Sequence, residues 1–190
     1  MPTRIGRNER SWVIDLISKI NEFTAANNLA IKKAGGENTI SSEGVTMFPD
    51  VILYGNTEQS VIIEGWEVKL PDVSINDVNF ISDAQRKARA LNLNSFVLWN
   101  FTYVHLYILD ENNDTFVLTN TWNDTGYIRT RADVQTYRNQ WEASLGNVLS
   151  TSIISLLVNR NKDVVADCIR NRVVADACIG AYIDNWWTVT

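Results

Sequence analysis

Residue types that commonly bind zinc or form cross-links are scarce in this sequence. Its 190 residues include one histidine, two cysteines and three prolines. Cys168 and Cys178 lie in one stretch with a helical pattern and have no second pair of ligands, which argues against a zinc site and against a disulfide framework. We expect both cysteines to be reduced core residues, and we expect His105 to be structural.

Basic residues are fewer than acidic ones. There are 17 lysines and arginines against 22 aspartates and glutamates, and the formal net charge is -5. Broad, nonspecific binding to nucleic acid depends on lysine and arginine neutralising phosphates, so this composition argues against it. Any contact with DNA must therefore be local or assisted by another domain.

Long apolar runs and nucleotide-binding loops are missing as well. No apolar run approaches the ~20 residues that span a bilayer, and residues 1–12 have no apolar core typical of a signal peptide. We therefore expect a cytoplasmic protein without a membrane partner. No glycine-rich GxxxxGK[ST] loop is present, so any site for ATP or a methyl donor must lie elsewhere.

The pattern of apolar residues indicates an α/β or α+β fold. Trp12, Leu16 and Ile20 recur at helical spacing and predict a helix from Glu9 to about Asn27, and residues 79–93 predict a second helix. Runs rich in β-branched and aromatic residues predict strands over 48–54, 61–70, 95–100, 103–110 and 115–122.

This order of elements predicts a central mixed sheet flanked by helices. We expect this core to occupy residues 1–126. Residues 127–190 carry helical patterns and are predicted to form a helical extension or a linker to a further domain. Gly35-Gly36 is expected to interrupt the chain after the first helix, and residues 38–48 are expected to be extended or looped.

The predicted hairpin over Phe48–Leu70 carries three charged residues that are costly on an apolar strand unless they are paired, bound to metal or used in chemistry. Side chains alternate along a strand, so Glu67 and Lys69 share one face with their Cα atoms ~7 Å apart. With the turn centred near Thr57, Asp50 is expected opposite Gly65 and diagonal to Glu67, at roughly 5.5 to 8 Å. Gly65 would then leave room for an ion.

Two carboxylates at this separation suit a hard divalent cation, and Mg²⁺ is the natural candidate. The backbone carbonyl of Val68 could supply a third protein oxygen. A bound Mg²⁺ activates a water and stabilises charge on a phosphate, and Lys69 could orient that water or neutralise the transition state. The set is chemically complete for phosphodiester hydrolysis. The plain alternative is that Glu67 and Lys69 form a same-face ion pair on a half-exposed strand.

Pro49-Asp50, followed after sixteen residues by Glu67-Val68-Lys69, resembles the PD-(D/E)xK signature of the restriction-endonuclease-like nuclease superfamily. The resemblance covers roughly residues 5–110. It implies an αβββαβ core, an active site at one edge of a mixed sheet, and DNA cleavage that depends on Mg²⁺, for which Mn²⁺ substitutes.

The resemblance also implies two accessory residues. Many members carry a glutamate on the first helix that binds or orients the metal, and Glu9 matches this position better than Glu22. Some branches place a glutamine on the helix after the ExK strand, and Gln85 fits. Glu9 has a competing role as a first-turn residue that complements the helix dipole, and Gln85 has one as a surface residue.

The function predicted from these residues is that of a DNA endonuclease domain. The chain most resembles the nuclease domain of a restriction-modification protein, with specificity supplied by another domain or subunit and with dimerisation for double-strand cleavage. A Holliday-junction or repair nuclease is the first alternative, and the low lysine and arginine content counts against it. A non-catalytic DNA-binding scaffold is the second, and the presence of Asp50, Glu67 and Lys69 together counts against it.

Overall fold

The computed structural model describes residues 7–27, 29, 31–36, 40–42, 45–47, 49–110 and 112–150. The chain divides into two compact units, Met1–Val148 and Leu149–Thr190. The helical prediction beyond residue 150, including Cys168 and Cys178, lies outside the described residues. Among the helices that are described, none is long and apolar enough to cross a membrane.

The first unit alternates helices and strands. Its helices are α1 (Glu9–Asn27), α2 (Val78–Ala90), α3 (Arg131–Thr136) and α4 (Arg138–Val148). Its strands are β1 (Lys33–Gly35), β2 (Ile40–Ser42), β3 (Val45–Met47), β4 (Val51–Tyr54), β5 (Ile62–Val68), β6 (Ser95–Trp99), β7 (Val104–Asp110) and β8 (Thr115–Trp122).

Six of these strands form one mixed sheet in the order β1-β4-β5-β6-β7-β8. The pairing of β5 with β6 is parallel, with α2 between them in the chain, and every other pairing in this sheet is antiparallel. Strands β2 and β3 form a separate antiparallel pair. The predicted fold class, an α+β fold with a mixed sheet flanked by helices, is confirmed.

Apolar side chains cover both faces of the sheet. On one face, α2 contributes Phe80, Ala84 and Ala88 to a buried cluster with Phe96 and Tyr107 of the sheet. A second set of aromatic contacts includes the stacked rings of Trp66 and Trp99 and links the sheet to α1 and α4. In this set Trp12, Phe101 and Trp141 meet edge to face, with ring centroids 5.4 to 6.5 Å apart.

The helical predictions for α1 and α2 are confirmed. The apolar stripe of α1 is buried at Trp12, Leu16 and Ile20, as its spacing predicted. Asp77 begins α2 by accepting hydrogen bonds at Oδ1 from the amides of Asn79 and Phe80, at 2.9 and 3.0 Å. This N-cap satisfies two amides that the helix itself leaves open.

Two regions differ from the sequence-based expectation. Residues 33–35 form strand β1 on the edge beside β4, where only an interruption of the chain was expected, and residues 40–47 contribute the β2–β3 pair within a region expected to be extended or looped. These strands are three residues long, which is too short for an alternating pattern to be recognised. Helices α3 and α4, which were assigned to the extension, lie in the first unit, where Trp141 is buried.

Candidate active site

The β4–β5 hairpin brings Asp50 and Glu67 together. Val51 pairs with Trp66 and Ile52 with Gly65, so the next position along this register places Asp50 across from Glu67. The predicted pairing of Asp50 with Gly65 is therefore wrong by two residues. A two-residue shift leaves every side chain on the predicted face, so the two carboxylates still converge.

The register differs because the connection between the strands is not a simple turn about Thr57. Strand β4 ends at Tyr54 and β5 begins at Ile62, and the pairing shifts between Leu53 and Tyr54. Gly65 also has another role than the one expected. A Cβ atom there would lie 3.3 Å from Cδ1 of Leu93, so Gly65 accommodates core packing rather than an ion.

Asp50 is held by the backbone of the partner strand. Its Oδ2 accepts a hydrogen bond of 2.8 Å from the amide of Val68. The structure thus shows the amide of Val68 at the site, whereas the sequence pointed to its carbonyl. Burial raises the pKa of the Asp50 carboxyl, while the Val68 amide and the Lys69 charge act in the opposite direction.

Gly36 packs directly behind Asp50. A Cβ atom at Gly36 would lie 2.6 Å from the carbonyl oxygen of Asp50 and 2.7 Å from Cδ1 of Ile17. Only glycine allows the segment after β1 to approach the backbone of Asp50 this closely. This residue, expected simply to interrupt the chain, therefore supports the position of a candidate site residue.

Glu67 is 4% exposed and is paired with a lysine that the site prediction did not include. Its Oε2 accepts a hydrogen bond of 2.6 Å from Nζ of Lys87, which also donates to Oδ2 of Asp83 at 2.8 Å. Lys87 is not singled out in the sequence analysis. A signal was present, because Lys87 lies three residues after Ala84 and seven after Phe80, on the buried side of α2.

The environment of Glu67 disfavours its ionised form. Burial and the neighbouring Asp50 carboxylate raise the pKa of Glu67 to about 8, although Lys87 acts in the opposite direction. Two adjacent carboxyls with raised pKa values retain a proton near neutral pH unless a cation replaces it. The Asp50–Glu67 pair is therefore a place where positive charge is favoured.

Lys69 and Glu9 contact each other beside this pair. Nζ of Lys69 lies 2.9 Å from Oε1 of Glu9, the first residue of α1, and both side chains are about one-third exposed. Burial lowers the pKa of Lys69, but the Glu9 hydrogen bond and nearby carboxylates outweigh it, so the pKa is raised. Glu67 and Lys69 do not form the same-face ion pair that was the alternative interpretation. Glu67 pairs with Lys87, and Lys69 pairs with Glu9.

The two weaker candidates lie apart from this group. Glu22 is exposed and pairs with Lys19 at 2.7 Å. Gln85 lies on α2 two residues before Lys87, which is about 200° around a helix. It is half-buried and makes no hydrogen bond with the described residues, so its role at the site stays a prediction.

A cavity of about 630 Å³ opens beside Lys69. Its lining includes Phe80 and Asp83 of α2 and Val73 of the preceding loop. Small-molecule sites typically occupy ~300 to 1,000 Å³, so this cavity has room for part of a substrate next to the lysine.

A cation at this site would be coordinated by few protein side chains. Among the described residues, no group of three or more histidine, cysteine, aspartate or glutamate side chains is arranged to hold a metal ion. Asp50 and Glu67 each have one oxygen engaged by the protein, and within the described part of the chain Oδ1 of Asp50 and Oε1 of Glu67 accept no hydrogen bond. Two carboxylate oxygens of this kind suit Mg²⁺, which prefers oxygen ligands and takes few of them from the protein. Glu9, predicted as a further ligand, pairs with Lys69, and its role as a ligand stays a prediction.

Comparison with known proteins identifies the fold. No family model and no curated protein matches the sequence. Among solved structures, the type IIG restriction endonuclease BpuSI matches with a TM-score of 0.58 and 12% identity, over 84% of this chain and 18% of the BpuSI chain. A protein described as "a putative nuclease belonging to DUF820 from Anabaena variabilis ATCC 29413" matches with a TM-score of 0.38 and 13% identity, over 62% of this chain and 70% of that one.

The chain therefore has a restriction-endonuclease-like nuclease fold, as the PD-(D/E)xK resemblance implied. It spans less than a fifth of the length of BpuSI.

Proposed function

We propose that this chain is the Mg²⁺-dependent DNA-cleaving module of a larger restriction-modification enzyme. The observation that carries the proposal is the pair formed by half-buried Asp50 and buried Glu67, which lies beside Lys69 where β4 begins and β5 ends. Lys87 contacts only Glu67 of the two carboxylates, so a second positive charge at their remaining oxygens would offset the cost of holding them together.

Asp50 and Glu67 would hold the cation through Oδ1 and Oε1, with a backbone oxygen near Val68 as a further donor. When bound, Mg²⁺ supplies a polarised water and stabilises negative charge on a phosphate, and Mn²⁺ would substitute for it. The protein contributes the fixed geometry, because the Val68 amide holds Asp50 and Lys87 holds Glu67.

Lys69 would act on the substrate. Its ammonium group is half-buried at the mouth of the cavity and is paired with a glutamate that is itself partly exposed. Such a pair is weak in water, so Lys69 can exchange Glu9 for a phosphate oxygen at little cost. In that position its charge would stabilise the phosphorane-like transition state or orient the attacking water.

The charge pattern supports a division of labour with another domain. Arg86, Arg89 and Arg131 each pair with an aspartate, so their charges are partly neutralised within the protein itself. Phosphate contacts supply most nonspecific DNA affinity, and this surface is poorly suited to provide them alone. We infer that further domains or subunits bind and select the DNA, that cutting both strands uses a dimer, and that the enzyme works in the cytoplasm.

The test is cleavage of supercoiled plasmid by the full chain with Mg²⁺ and with Mn²⁺, beside Asp50→Asn and Lys69→Met. Glu22→Gln serves as the matched control, because it alters a glutamate of α1 that pairs with a lysine away from the site. We expect nicking by the wild type and by the control, and none by the two site variants or with EDTA.

Two results would contradict the proposal. Cleavage that survives Asp50→Asn would place the activity elsewhere. Binding of DNA and Mn²⁺ without cleavage, at high protein concentration and with the missing domains supplied, would favour the non-catalytic scaffold.

A further inference from the structure

Lys87 is a buried cation that the resemblance to nucleases does not account for. It lies on the sheet-facing side of α2, its side chain is 12% exposed, and its ammonium group contacts both Glu67 and Asp83. An ammonium group is costly to bury, and replacing such a pair with apolar residues is often neutral or stabilising. Its presence on an otherwise apolar helix face calls for a reason other than packing.

The reason lies in how the two site carboxylates are held. At Asp50 the Val68 amide engages Oδ2, and at Glu67 the Lys87 ammonium engages Oε2. The remaining oxygens, Oδ1 and Oε1, accept no hydrogen bond from the described residues. One donor per carboxylate thus fixes each side chain and leaves one oxygen on each for another positive group.

We propose that Lys87 is a positioning residue, which binds Oε2 of Glu67 so that Oε1 is presented, together with Oδ1 of Asp50, to the divalent cation. This inference rests on the proposed function, because it requires that a cation binds here. Lys87 would neither contact the substrate nor leave Glu67 when the ion binds.

Asp83 anchors the lysine in this role. Lys87 donates to Asp83 four residues earlier on α2, and Arg86 contacts the same aspartate from the exposed side of the helix. The contacts form a chain from Glu67 through Lys87 and Asp83 to Arg86, running from the buried site to the surface. Groups that orient metal ligands in this way typically contribute ~10- to 100-fold to metal affinity.

The experiment is calorimetric titration of the full chain with Mn²⁺, supported by Mg²⁺ titration, for the wild type and four variants. We expect Lys87→Met to weaken Mn²⁺ binding by ~10- to 100-fold, Asp83→Asn to weaken it less, and Lys87→Arg to recover part of the loss. Arg89→Met is the matched control, since it removes a neighbouring cation of α2 that pairs with Asp114 instead of Asp83 or Glu67, and we expect a change within about threefold.

Near-ultraviolet circular dichroism and thermal unfolding in EDTA accompany each titration. If Lys87→Met is not folded, Asp83→Asn and Lys87→Arg test the proposal, because both keep a cation beside Glu67. Binding by Lys87→Met that equals or exceeds that of the wild type would overturn the inference and leave the proposed function standing. If the wild type binds neither ion, both the inference and the proposed function are wrong.

Discussion

Two lysine–glutamate pairs lie within one site, and they differ in burial. Lys87 and Glu67 are 2.6 Å apart with side chains 12% and 5% exposed, whereas Lys69 and Glu9 are 2.9 Å apart with side chains 32% and 38% exposed. The first pair joins the last turn of α2 to the end of β5. The second joins the beginning of α1 to the residue that follows β5.

The difference in burial separates a fixed pair from an adaptable one. Removing one partner of a buried pair leaves the other without solvation, so the contact is maintained. A partly exposed pair loses little when it opens, because water replaces the partner. The comparison teaches that the Lys69–Glu9 pair can open at little cost, as the proposed function requires, whereas the Lys87–Glu67 pair cannot.

The largest expected effect is on the cleavage rate, when Glu67 and Glu9 are each replaced by glutamine in separate variants. We expect Glu67→Gln to reduce cleavage by about a thousandfold or more, since losing ~4 kcal/mol of ion-dependent stabilisation corresponds to three decades in rate. We expect Glu9→Gln to reduce it by about tenfold or less, since it alters only a partly exposed pair. Single-turnover cleavage of a labelled duplex measures both, and equal losses would contradict the distinction.

Replacing Lys69 is expected to impair the cleavage rate, whereas replacing Lys87 is expected to impair Mn²⁺ affinity. Lys69→Met should reduce the cleavage rate by ~100-fold or more and leave Mn²⁺ affinity unchanged or slightly tighter, because a transition-state contact is lost and a nearby positive charge is removed. Rates measured at saturating Mn²⁺, with affinity from calorimetry, separate this outcome from the loss of affinity expected for Lys87→Met. If extra Mn²⁺ restored the rate of Lys69→Met, Lys69 would belong to the ion site instead.

The stability of the protein in EDTA should also distinguish the pairs. We expect Lys87→Met to lower the free energy of unfolding by about 2 kcal/mol, because a buried carboxyl loses its donor. We expect Lys69→Met to lower it by under about 1 kcal/mol. Urea unfolding monitored by tryptophan fluorescence gives both values, with Lys19→Met as a control for an exposed pair of α1.

The buried glutamate should also make the stability of the protein depend on pH. The pKa of Glu67 is about 8 in the folded protein and near 4.5 when unfolded, so the folded state binds more protons between these values. In EDTA, stability should therefore fall as the pH rises from about 4.5 to about 8, by at most ~1.4 kcal/mol per pH unit from this group. Glu67→Gln should flatten that slope, and an unchanged slope would show that another group is responsible.

Much of the fold could be predicted because its signals are local. The apolar stripe of α1, the helix over α2 and the strand β8 follow from spacing and composition within a short stretch. The short strands β1, β2 and β3 could not be predicted, since three residues are too few to show a period in their apolar pattern. Trp141 could not be assigned to the first unit from sequence, because its contacts with Trp12 and Phe101 join residues 129 and 40 positions apart.

The candidate site could likewise be predicted only in part. Asp50, Glu67 and Lys69 stand out in the sequence because charge on an apolar hairpin is costly, and the alternation of strand side chains places Glu67 and Lys69 on one face. The register was misjudged by two residues, since an irregularity inside the hairpin leaves no mark in the sequence.

By its residues alone, this sequence determines a mixed sheet between helices and a hairpin with two carboxylates and a lysine, because these features depend on periods of two and 3.6 residues. The tertiary structure alone decides that Lys87 reaches Glu67, that Lys69 reaches Glu9 and that Gly36 packs against Asp50. These contacts join residues 14 to 60 positions apart. Only the packing of α1 and α2 around the sheet brings them within reach, so burial and charge at the site become defined only when the chain is folded.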